Sequence, residues 1–282
     1  MNPWVKKEKE EASSYSERFM SKREDVNEQG PSLPLGEGPS SGSYEERFFK
    51  KAGLPHIPEE TRKTSDLPRL SKKFEKQLEA DFKELLNVEG NILSLKKDTK
   101  TIYVSSCFSS EGKTVSSIHT AYALAVYAGK KVLLIDGNPH APQIHKFFKI
   151  PESAGLRDFL YSGFGFKAVI QDTKYQNLTI MTIGRPTSQK HISGSIIKTK
   201  LDEIRDQFDY IIFDGSSVLK SSEAANVVAC FDMVILVVTC EKTKWEVVQM
   251  AAEKLHSGGV TVLAIVLNRR RYYIPEMIYR RI

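Results

Sequence analysis

Lys113 and Thr114, adjacent in the chain, and two distant aspartates, Asp136 and Asp214, are the residues best suited to handling a phosphoryl group. An ammonium neutralises phosphate charge and a hydroxyl offers Mg²⁺ a hard oxygen. Carboxylates beside them hold the ion or take a proton. The stretch Cys107-Phe108-Ser109-Ser110-Glu111-Gly112-Lys113-Thr114 follows Gly-x-x-x-x-Gly-Lys-Ser/Thr except at its first position, where Cys107 replaces glycine. The run Ser109, Ser110, Glu111, Gly112, Lys113, Thr114 and Val115 is therefore the candidate cofactor-binding segment. A chance Gly-Lys-Thr in an ordinary turn is the competing reading.

The flanking residues argue against that alternative. Thr101 to Ser106 is rich in β-branched and aromatic residues, as in a buried strand. Val115, Ile118, Tyr122 and Ala125 then recur at helical spacing, which places Lys113 and Thr114 at a helix N-terminus. Unpaired N–H groups and the positive end of the dipole attract phosphate there, whereas a lysine opposes the dipole unless an anion is bound. A bound phosphate is the only anion expected beside Lys113. Asp136 and Asp214 each close an apolar strand, Val132–Asp136 and Tyr210–Asp214, so Thr114, Asp136 and Asp214 are candidate metal ligands. Lys113, Asp136 and Asp214 are the candidate catalytic residues.

Further strands are expected at Leu178–Ile183, Met233–Val238 and Val262–Leu267. Helices are expected near Leu156–Leu160, Ile196–Gln207, Ser222–Cys230 and Lys244–His256. Uniformly apolar strands alternating with helices predict an α/β fold, a doubly wound, mostly parallel sheet that binds ligands at its carboxyl edge. Before it, Leu70, Phe74, Leu78, Phe82 and Leu85 mark an amphipathic helix packed on the sheet edge or on a neighbouring subunit.

Composition divides the chain in two. Residues 1–66 are densely charged, poor in aliphatics and interrupted by a Pro/Gly/Ser stretch at Pro31–Ser43, which predicts a disordered tail; residues 67–282 form the folded domain. A net charge of +6 with no basic block gives no reason to expect nucleic acid. The three cysteines have no metal-ligand spacing and suit a reducing, cytoplasmic setting. With no apolar run of spanning length and no signal-peptide pattern, attachment to the inner face of a membrane is expected only through a partner. The tail carries a repeat, Ser14-Tyr15-Ser16-Glu17-Arg18-Phe19 and Ser43-Tyr44-Glu45-Glu46-Arg47-Phe48, which suggests a bivalent docking ligand; chance recurrence in a Ser/Glu/Arg-rich tail competes with that reading.

The phosphate loop, the run Asp136-x-Asn138-x-His140-x-Pro142 and the strand ending in Asp214 together resemble the bacterial tyrosine kinases of capsule and exopolysaccharide synthesis. Those P-loop proteins carry Walker A, A′ (Asp-x-Asp-x-Arg-x-Pro) and Walker B motifs. The similarity extends to His145, Phe148, Gly155-Leu156-x-Asp158-x-Leu160 and Val266-Leu267-Asn268. The family often lacks the first loop glycine. The resemblance implies ATP and Mg²⁺ as cofactors, with Lys113 on the transferable phosphate, Thr114 on the metal and Asp214 holding it through water. It also implies Asp136 as base or metal ligand, Asn268 facing the adenine, and a membrane-embedded polysaccharide copolymerase or export protein as partner. Tyr272, Tyr273 and Tyr279 become phospho-acceptor candidates.

Several positions depart from that family. Asn138 stands for an acid, His140 for arginine, and Ser216-Ser217 for two prolines; the ring-closing Glu-x-x-Arg-x-x-Arg motif aligns with Lys83, Leu86 and Glu89. Homo-oligomerisation therefore has weaker sequence support than nucleotide binding. Two other functions stay open: an ATP-dependent switch of the partition and septum-site ATPase type, and a nucleotide-sensing scaffold of an export complex. The septum-site and partition proteins place a signature lysine early in the loop, where this chain has Phe108.

Overall fold

The computed structural model describes residues 67–81, 87, 90–92, 99–151, 153–185, 192–221, 224–259 and 262–269. The tail and its repeat, Phe82 and Leu85 of the amphipathic stretch, the ring-motif positions Lys83, Leu86 and Glu89, and Tyr272, Tyr273 and Tyr279 lie outside them.

Helix α1 (Lys72–Ala80) is followed by β1 (Thr101–Ser106) and α2 (Lys113–Tyr122), which runs on through a π-helical turn at Ala123–Tyr127. Then come β2 (Val132–Asp136), α3 (Ile144–Phe147), α4 (Leu156–Tyr161), α5 (Phe166–Val169), β3 (Gln171–Asp172) and β4 (Leu178–Met181). The rest is α6 (Gly194–Ile204), a 3₁₀ turn at Arg205–Gln207, β5 (Tyr210–Asp214), α7 (Ala224–Val228), β6 (Met233–Thr239), α8 (Trp245–Ser257) and β7 (Val262–Asn268). The strands form one sheet in the order β3-β4-β2-β5-β1-β6-β7, parallel except for the short antiparallel edge pair β3–β4. Sequence periodicity missed α3, α5 and β3, which are too short to show a period.

The uniform apolarity of the strands has the expected cause, since alternate residues enter separate cores on the two faces. Tyr103, Leu133, Ile135, Ile211, Phe213 and Leu236 pack under α4, α6 and α8. Ile102, Val104, Leu134, Ile212 and Val237 pack under α2 and α1. Helix α1 begins at Ser71, whose hydroxyl caps the N–H of Phe74, and buries Phe74 and Leu78. Tyr175, between β3 and β4, anchors it by donating to Glu75 (2.5 Å) and accepting from the N–H of Leu70 (3.1 Å). The stripe predicted on sequence is thus core packing of this chain over its described part. Among the described residues no helix is long and apolar enough to cross a membrane.

Candidate functional site

The loop between β1 and α2 turns through two left-handed positions, Ser110 (φ 66°) and Gly112 (φ 98°). Position 112 favours glycine, because its φ of 98° is one that side chains rarely adopt, and a Cβ there would also push aside the Asn268 amide, 2.0 Å away. Cys107 is not among the residues of positive φ and is fully buried in the core beneath α8, so nothing at that position demands glycine.

Glu111 holds the loop's shape. Its carboxylate accepts from the N–H of Phe108 (2.7 Å) and the hydroxyl of Thr243 (2.5 Å), and its carbonyl accepts from Asn268 Nδ2 (2.8 Å). Glu111 thus offers a ligand only its backbone. Asn268, expected to face the adenine, spends its amide on bracing the loop from the end of β7.

Gly112 caps α2 without a side-chain hydrogen bond, leaving the first N–H groups of the helix to the cleft. Thr114 donates its hydroxyl to Asp214 Oδ2 (2.7 Å), and Ser117 donates to Asp214 Oδ1 (3.2 Å). Lys113 is only 6 % exposed and reaches toward the Ser217 hydroxyl (3.5 Å), which also lies 3.4 Å from Ser109 Oγ. Burial lowers the proton affinity of Lys113, and the charges of Asp214 and Glu111 oppose that effect. The expectation of no anion near this lysine except a ligand is therefore wrong. The strand order brings Asp214 beneath the loop.

Asp136 and Asp214 are register partners on adjacent strands, and both are wholly buried. Asp136 Oδ2 accepts from the N–H groups of Gln143 and Ile144 (3.0 Å each), and Oδ1 accepts weakly from Asn138 N–H (3.4 Å). Burial first, and then the neighbouring Asp214 charge, raise the proton affinity of Asp136; burial also raises that of Asp214. Asp136 therefore pins the loop that follows β2. Arg157 on α4 supports the same loop by donating to the Pro139 carbonyl (3.2 Å), a role that sequence reading missed because this arginine is one residue inside a motif noted for its neighbours. Asn138 Oδ1 receives His140 N–H (3.3 Å) and lies 3.5 Å from Ser216 Oγ.

These elements enclose a cleft of about 670 Å³ at the carboxyl edge of the sheet. Ser109, Ser110, Gly112, Lys113, Thr114 and Val115 line it from the loop side. Asp136 and Asp214 sit behind its wall. No group of three or more His, Cys, Asp or Glu among the described residues is arranged to hold a metal. The paired oxygens of Thr114 and Asp214 suit Mg²⁺ that arrives on phosphate and keeps its water, the usual state of that ion.

A family model described as an AAA domain matches residues 99–257. The chain is 31% identical over 173 residues to the tyrosine-protein kinase CpsD of Streptococcus pneumoniae, covering 60% of this chain and 76% of that protein. It is 25% identical over 198 residues to the tyrosine-protein kinase YwqD of Bacillus subtilis, covering 70% and 83% respectively. Among solved structures, the kinase domain of VpsO superposes with a TM-score of 0.58 at 25% identity, over 67% of this chain and 99% of that domain.

Proposed function

This chain belongs to the bacterial tyrosine kinase family of P-loop ATPases, and from that footing we propose that it binds ATP with Mg²⁺ and transfers the terminal phosphoryl group to tyrosine. The observation that carries the reading is Lys113, buried at the open N-terminus of α2 with Thr114 and Asp214 hydrogen-bonded beside it. Loop N–H groups and Lys113 hold the phosphates and take up charge on the oxygens as transfer proceeds. Mg²⁺, when bound with the nucleotide, would neutralise phosphate charge near the Thr114 hydroxyl and the Asp214 carboxylate. Ser217 steadies the Lys113 ammonium. Asp136, behind the cleft wall, is the candidate base or metal ligand that the family resemblance implies, its affinity for a proton raised by burial and by Asp214.

The acceptors are tyrosines of the chain's own C-terminus, Tyr272, Tyr273 and Tyr279. Arg269, Arg270, Arg271, Arg280 and Arg281 provide guanidinium partners for an added phosphate. The protein works in the cytoplasm, where it regulates exopolysaccharide or capsule synthesis. The tail repeat at Tyr15–Phe19 and Tyr44–Phe48 docks it to a membrane-embedded copolymerase or export protein, and it self-associates there. A non-kinase ATP switch has one observation in its favour: neutral Asn138 sits at the mouth of the cleft where the family has an acid. Incubating the pure chain with labelled ATP and Mg²⁺ separates the two. Label on tyrosine supports the kinase; free phosphate without protein label supports the switch.

A further inference from the structure

The cleft that the phosphate loop lines carries a second lysine. Lys220, in the segment between β5 and α7, lines the cleft together with Lys113 and Arg269, and no carboxylate is among the described lining residues. Its side chain is exposed, and it makes no hydrogen bond or ion pair among the described residues. Burial chiefly disfavours the Lys113 ammonium, Asp214 and Glu111 oppose that effect, and the Lys220 charge adds a smaller push in the same direction as burial. Two cations facing one another across a cleft repel unless an anion lies between them.

Among the described residues the nearby acids do not supply that anion to Lys220. Asp214 accepts from Thr114 and Ser117, Asp136 accepts from three backbone N–H groups, and Glu111 accepts from Phe108 and Thr243. At position 138, where an acid could have faced it, the chain has an amide. Lys113 and the α2 N-terminus would grip the phosphates from the loop side. Lys220 follows β5, whose Asp214 is bonded to Thr114 where Mg²⁺ bridging the last two phosphates would sit, so the terminal phosphate is the one Lys220 would meet.

We propose that Lys220 is a second phosphate-binding residue that contacts the terminal phosphate opposite Lys113 and makes this cleft prefer nucleoside triphosphate to diphosphate. The inference rests on the nucleotide-binding reading above, and it assigns the discrimination to a residue that none of the three sequence motifs contains. A charge-assisted contact to one phosphate is worth about tenfold in affinity.

The test is equilibrium binding of ATP and of ADP, each with Mg²⁺, to the full chain and to its Lys220→Ala and Lys220→Arg variants. Lys220→Ala should weaken ATP by about tenfold and ADP by less than about twofold, while Lys220→Arg keeps most of the ATP affinity. Added salt should shrink the ATP/ADP ratio of the unaltered chain more than that of Lys220→Ala. Equal weakening of both nucleotides, or no change in either, would overturn the role of Lys220 and leave nucleotide binding standing. An unaltered chain that binds neither nucleotide would overturn the nucleotide reading, and the Lys220 inference with it.

Discussion

Replacing Asp136 with asparagine should make the nucleotide-free protein more stable at neutral pH while removing most of its turnover. Asp136 has no exposed surface and is paired in register with Asp214, also fully buried, on a strand about 4.8 Å away. Burial and the like charge both favour the protonated form. Folding raises the carboxyl to about 7 from the ordinary carboxylate value, and a rise of that size costs on the order of 4 kcal/mol of stability once the group ionises. The amide keeps the two stronger bonds, since its oxygen can accept from Gln143 and Ile144 as Oδ2 does, and gives up only the weak Asn138 contact, where its NH₂ meets an N–H donor to donor. The gain expected at neutrality, after the lost Asn138 contact is set against it, is therefore about 3 to 4 kcal/mol. The sign follows from proton binding. A raised folded-state affinity means that the folded protein holds the extra proton, so the unaltered protein loses stability as pH rises from the ordinary carboxylate range toward neutrality. The gap between variant and parent should thus be near zero at about pH 4 and widen toward about pH 7. Denaturant unfolding across that range, without nucleotide or metal, measures it. A variant less stable than its parent by the same amount at every pH would refute the picture of a strained carboxylate pair. Turnover should fall by about a hundredfold or more if Asp136 accepts the proton; unchanged turnover would move the base elsewhere.

Lys113→Met should unfold at the same denaturant concentration as the parent, within about 1 kcal/mol, yet lose ATP affinity by about tenfold or more in a binding titration. Thr243→Val, which keeps shape but removes a hydroxyl bonded to the buried Glu111 carboxylate, should cost about 1.5 to 3 kcal/mol in unfolding experiments. Saturating nucleotide should recover part of that loss, because binding favours the ordered loop. For the tail, changing Phe19 and Phe48 to Ala singly should reduce recruitment to membranes from the protein's own cells in part, and the double change should reduce it far more; equal recruitment of all forms makes the repeat a coincidence.

Much of the fold was legible because buried parallel strands write themselves as uniform apolar runs, and Val132–Asp136, Tyr210–Asp214 and Met233–Thr239 do so. The two strand-end aspartates were legible because they close such runs, and Lys113 and Thr114 because a Gly-Lys-Thr loop joins a buried strand to a helix start. What stayed hidden depends on contacts between distant segments. Thr243 lies after β6 in no motif; the β1–β6 pairing brings it to Glu111, and the β6–β7 pairing adds Asn268. Ser217 and Lys220 read as an ordinary polar turn until β5 is seen beside β1. That Asp214 shares a site with Lys113 was expected from its strand end; what went unread is that its charge already acts on Lys113 before any ligand arrives.

The central claim, phosphoryl transfer from ATP to tyrosine by this cleft, is tested most directly by mass spectrometry of the full chain after incubation with ATP and Mg²⁺, beside Lys113→Met treated identically. The unaltered chain should gain phosphoryl groups that map to Tyr272, Tyr273 or Tyr279, and Lys113→Met should gain none. No tyrosine phosphate on the unaltered chain, or equal phosphate on both proteins, would contradict the account.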